Sequence, residues 1–164
     1  MKKTLLLLIT VLLSANSYSQ KDTLNAPKAV LPDVYADPHI AVFGKKFYIY
    51  PTTDGTDGWN ATSFTCWSSN DLVKWTSEGV ILDLPKDISW AKERAWAPAI
   101  AYKNGKYYYY FSANVNIGVA VSDKPTGPFK DALGKPLAPK GMLKGQMIDP
   151  MVFVDDDGSA YLYF

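Results

Sequence analysis

"YADPHIAVFGKKFYIYPTTD", residues 35–54, sets an Asp-Pro pair before a short apolar run, a glycine turn and a second, aromatic run. The pattern returns as "AWAPAIAYKNGKYYYYFSAN" (95–114) and as "MIDPMVFVDDDGSAYLYF" (147–164). Pro38, Pro98 and Pro150 head the three units, 60 and 52 residues apart, and Gly44, Gly105 and Gly158 mark the turns. Between the first two units lie "SFTCWSS" and "WTSEGVIL"; after the second come "IGVAVS" and "FKDAL". All are short runs of β-branched and aromatic residues bounded by Gly, Asn, Asp and Ser, the signature of strands. "WSSNDLVKW" answers to "AVSDKPTGPF", a third strand passing through a Ser/Asp turn to an aromatic that opens the fourth.

Four antiparallel strands recurring every fifty to sixty residues describe a β-propeller blade. The competing arrangement is a β-sandwich with similar hairpins, which gives no reason for three units to share register. A proline is tolerated at the first residue of a strand, where its missing N–H is not needed, and the residue before it is expected to be held extended. Asp37 and Asp149 would then stand as carboxylates at strand mouths, while the second unit carries Ala97 there with Trp96 beside it.

The remainder of the 164-residue chain frames that domain. Residues 1–20 combine Lys2 and Lys3, the apolar run "TLLLLITVLL" and the small, polar "SANSYSQ", which is the anatomy of a cleaved secretory signal peptide. The apolar run is too short to span a bilayer, and no Cys follows it to carry a lipid anchor. Export to the periplasm or exterior is expected. Residues 21–33 form an irregular lead-in, and 34–164 the N-terminal part of a propeller catalytic domain. The last strand is cut at Phe164, so a longer parent protein is expected. With Lys2 and Lys3 set aside, acidic residues outnumber basic ones by one, and no basic stripe invites nucleic acid or an anionic membrane. Cys66 reads as a buried packing residue. Aromatic residues make up 14% of the chain, a content suited to pleated sheets and to sugar-stacking surfaces.

"YADPHI", "AWAPAI" and "MIDPMVF", in that order on successive units, resemble glycoside hydrolase family 43 over about residues 33–164. The resemblance implies an all-β, five-bladed β-propeller, of which this chain would cover about two and a half blades. It implies action on arabinose- or xylose-containing plant cell-wall polysaccharides, as an α-L-arabinofuranosidase or β-xylosidase, by inversion. Asp37 matches the family's general base, Asp149 the aspartate that orients the catalytic acid and raises its pKa, and Trp96 an aromatic of the sugar pocket. The acid itself is a glutamate in a later blade. Glu78 and Glu93, the two glutamates here, lack its context. No cofactor is required; a calcium in the channel is common in relatives, with ligands expected outside this chain.

The chemistry suits this arrangement. Inverting hydrolysis needs two carboxyls about 6.5–9.5 Å apart, with room for a water, and inner strands of a propeller bring their mouths to one channel. His39, two residues beyond Asp37, would share its face if the strand alternates regularly, either touching Asp37 or a sugar hydroxyl or serving structure. Trp59 ranks below Trp96 as a rim platform. "DDDG" (155–158) has a calcium reading, but its alignment with the other turns favours a solvated hairpin. The alternatives are a non-catalytic carbohydrate-binding propeller and a related five-bladed glycosidase acting on fructans or other glycans.

Overall fold

The computed structural model describes residues 28–164, so the expected signal peptide and most of the lead-in lie outside the described residues. The first sheet comprises β1 (Tyr35–Phe43), β2 (Lys46–Thr53), β3 (Ser63–Ser69) and β4 (Thr76–Asp83). The second comprises β5 (Trp96–Lys103), β6 (Lys106–Ala113), β7 (Asn116–Ser122) and the two-residue β8 (Lys130–Asp131). A hairpin of β9 (Met151–Val154) and β10 (Ala160–Tyr163) follows. In both full sheets the strands pair antiparallel in sequence order. First strands are also neighbours between sheets, β1 beside β5 and β5 beside β9. These are two propeller blades and the opening hairpin of a third, each blade's first strand facing the next.

Local chemistry sets the boundaries. Gly44 and Gly105 turn the first hairpins with φ of 63° and 78°, where a side chain would be strained. Ser69 and Ser122 then play one part in the two blades, each accepting the N–H of the residue two ahead at 3.1 Å and bending the chain toward its fourth strand. β8 is shorter than "FKDAL" promised because Asp131 turns the chain. Its carboxylate accepts N–H groups from Leu133 and Gly134 at 3.1 and 3.0 Å, and Trp90 Nε1–H at 2.9 Å. The "DDDG" segment is an exposed hairpin turn, with Asp155 and Asp157 accepting local N–H groups.

The core lies between the first two blades. Tyr50 and Phe64 of the first meet Tyr109 and Phe111 of the second, ring centroids 5.4–5.8 Å apart and all four rings wholly buried. These tilted and edge-on contacts suit aromatic quadrupoles and add to simple burial. Cys66 is also wholly buried, and burial pushes its thiol up to about 12, as a packing residue requires. Trp90 stacks on Phe111 at 5.9 Å over Gly118, where a Cβ would come within 2.4 Å of the Phe111 ring.

The strand mouths depart from expectation. β1 does not begin at Pro38 but at Tyr35, and β5 begins at Trp96. In β1 the pairing steps from Ala36↔Thr52 to His39↔Tyr50, so Asp37 and Pro38 together oppose one residue of β2. β5 repeats this, stepping from Trp96↔Ser112 to Ala99↔Tyr110 around Ala97 and Pro98. Each is a β-bulge, a place where a ladder tolerates a proline. The residue before each proline is not extended: Asp37, Ala97 and Asp149 have φ of 45°, 40° and 57°. The bulge overrides the ordinary pre-proline preference and re-aims the side chain.

Candidate active site

A cavity of about 550 Å³ opens at these mouths, and Asp37, Asp149 and Trp96 all line it. The two acids come from the first and third units and Trp96 from the second, so the repeat converges three blades on one space. Asp37 and Asp149 are both solvent-exposed. Although Asp149 is open to solvent, partial desolvation against the cavity wall, and then the negative charge of Asp37, hold its carboxyl above the usual carboxylate range.

Trp96 is half-buried, and its indole N–H donates to the Trp59 carbonyl oxygen at 2.7 Å. The Arg94 guanidinium stands 5.7 Å from its ring centroid, within cation–π reach. The ring is thus fixed from two sides while still facing the cavity. Trp59 lines the same space and is 72% exposed, a larger place than its rank below Trp96 implied. Asp54 and Arg94 also line the cavity and were not singled out from the sequence. Asp54 lies just past β2, opposite the start of β1, where its N–H donates to the Val34 carbonyl at 3.0 Å; its one sequence signal was an acid closing the aromatic run of the first unit. Arg94 carried none beyond its nearness to Trp96.

His39 is not in the cavity lining. Counting two residues from Asp37 assumed unbroken alternation, and the bulge breaks it; His39 pairs with Tyr50, half-buried, with burial lowering its pKa. Neither Glu78 nor Glu93 lines the cavity. Glu78 accepts from Ser68 and Lys46 near the far edge of the first blade, and these contacts hold its pKa low. Among the described residues no three His, Cys, Asp or Glu side chains gather in a way that could hold a metal ion, and no helix is long and apolar enough to cross a membrane.

Backbone strain concentrates here. Of nine non-glycine residues with positive φ among those described, five line the cavity: Asp37, Trp59, Arg94, Val115 and Asp149. Such conformations cost about 1–3 kcal/mol each and persist where surrounding structure enforces them, commonly at functional sites.

Comparison with known proteins agrees with the geometry. The model of the family "Glycosyl hydrolases family 43" matches residues 26–164. The xylosidase/arabinosidase 43A of Humicola insolens is 40% identical over 82% of this chain and 45% of its own length. A xylosidase/arabinosidase of Bacteroides ovatus is 37% identical over 80% of this chain and 43% of its own. Among solved structures, an α-L-arabinofuranosidase from Clostridium thermocellum superposes with a TM-score of 0.69 at 44% identity, over 79% of this chain and 46% of that one. The chain thus spans under half the length of these relatives. By motif, fold and family match, it belongs to glycosyl hydrolase family 43.

Proposed function

We propose that the intact protein is an exported, inverting glycosidase that releases pentose units from arabinose- or xylose-containing plant cell-wall polysaccharides. The observation that carries this reading is the convergence of Asp37 and Asp149, from separate blades, on one cavity walled by Trp96. Relatives named xylosidase/arabinosidase and arabinoxylan arabinofuranohydrolase support the substrate class. A relative named for both sugars gives no ground for choosing between them.

Asp37 acts as general base. It is exposed at the cavity mouth, able to hold a water and take its proton as the water attacks the anomeric carbon. Asp149 acts on the other side of the sugar. Its charge disfavours ionisation of a neighbouring carboxylic acid, keeping that acid protonated for the leaving oxygen. Membership of family 43 implies that the acid is a glutamate of a later blade, and here neither Glu78 nor Glu93 lines the cavity. Trp96 offers an apolar face against the pentose ring. A channel calcium would take its ligands from outside this chain.

Replacing Asp37 with Ala in the intact protein should lower turnover of a p-nitrophenyl pentoside by about 10²–10⁴-fold, with binding much less affected. NMR of the first-formed sugar anomer should show inversion. Retained turnover would remove Asp37 from the mechanism, and a retained anomer would make it a nucleophile.

A further inference from the structure

A left-handed residue at a strand mouth turns its N–H away from its own ladder, and that donor needs a partner. The neighbouring blade supplies it. Ala97 N–H donates to Thr52 Oγ1 at 2.7 Å, and Asp149 N–H donates to Ser112 Oγ at 2.9 Å. The two acceptors are equivalent: Thr52 is next to last in β2 opposite Ala36, and Ser112 next to last in β6 opposite Trp96, each paired with the residue just before a bulge. Both are buried, Thr52 4% and Ser112 0% exposed. The contacts bridge 45 and 37 positions of sequence and always run from one blade to the left-handed residue of the next.

We propose that Thr52 and Ser112 are positioning residues, one hydroxyl per blade, each fixing the strained mouth residue of the following blade and hence what that blade presents to the cavity. Ser112 sets the backbone that carries the Asp149 carboxylate. Thr52 sets Ala97 and, through it, the adjacent Trp96 wall. The device explains how an L-residue before a proline stays at positive φ: the hydroxyl satisfies the N–H that this conformation turns out of the ladder, at a wholly buried place for Ala97 and a partly buried one for Asp149. The hydroxyl binds backbone, so the same contact serves a mouth residue that is alanine and one that is aspartate.

The inference rests on the reading of Asp149 given above, and its test separates the two. In the intact protein, Ser112→Ala should lower kcat on a p-nitrophenyl pentoside about 10- to 100-fold, the loss expected for displacement on the order of an ångström, with KM little changed. Ser112→Thr, which keeps the hydroxyl, should restore it. Hydrogen exchange at the Asp149 amide should accelerate in Ser112→Ala while the amides of β6 and β7 hold their rates. Thr52 also lines the cavity, so its positioning role is read at the Ala97 amide, whose hydrogen exchange should accelerate in Thr52→Ala and return to the wild-type rate in Thr52→Ser. If Ser112→Ala does not fold, Ser112→Cys keeps the volume with a weaker acceptor and is read the same way. Wild-type kcat with unchanged exchange in the hydroxyl-deleted protein would overturn the inference. If Asp149→Asn itself keeps wild-type turnover, the catalytic reading fails, and the exchange measurement alone decides the positioning role.

Discussion

The first two blades carry the same device and use it differently. Both bend at a bulge before a proline, both hold the preceding residue left-handed, and both sit at one cavity. One presents Asp37, exposed; the other presents Ala97, 8% exposed, with Trp96 beside it. Backbone geometry is therefore the constant and side-chain chemistry the variable. A blade supplies a carboxylate or a wall according to one residue, without altering its fold.

The largest effect expected along this contrast is at Asp149, the acid that repeats the first blade's choice. Asp149→Asn in the intact protein should reduce turnover on the order of 10²–10⁴-fold, measured on a p-nitrophenyl pentoside. The same substitution should stabilise the fold at neutral pH. Because the folded-state pKa is raised, the folded protein holds this proton more readily than the unfolded chain, and stability falls as pH climbs through the folded pKa. The variant should therefore melt higher than wild type at neutral pH and equal it below the ordinary carboxylate range. A variant that melts lower at neutral pH would contradict the burial and like-charge origin of the shift.

A second contrast lies inside the blades. Counting along the ladders from Ser69 and Ser122, Thr65 of the first blade stands where the second has Gly118. There Phe111 and Trp90 fill the space a side chain would take. Gly118→Ala should cost about 1–3 kcal/mol in chemical denaturation, the usual penalty of overpacking, without altering the pH dependence of turnover. Smaller again, Trp96→Ala should raise KM about tenfold, or ~1.4 kcal/mol, with kcat less affected. Least of all, Ala97→Gly should leave stability within about 1 kcal/mol of wild type, because glycine accepts positive φ without a Cβ penalty. A larger loss would mean that the conformation at Ala97 is not strained.

Much of this was legible in sequence because it is local. Alternation and aromatic content placed the strands, and "SFTCWSS" and "KYYYYFSA" match β3 and β6 residue for residue. The hairpin glycines and Ser-led turns are properties of a few adjacent residues. Asp37, Trp96 and Asp149 were legible because three units shared a register. The bulges were not, since an extra residue shows only against its partner strand, and that omission misplaced His39 and mistook the backbone of Asp37. Asp54 and Arg94 were not singled out because each lies just outside a strand. The contact of Ser112 with Asp149 joins residues 37 positions apart and has no local signature at all.

That Asp37 and Asp149 share one cavity is tested most directly by following the Asp149 carboxyl with carbon-13 NMR through a pH titration of the intact protein. Wild type should titrate above the ordinary aspartate range. In Asp37→Asn the Asp149 pKa should fall part of the way back, the remainder being held up by burial. An Asp149 titration unmoved by the loss of Asp37 would show that the two acids do not face one another.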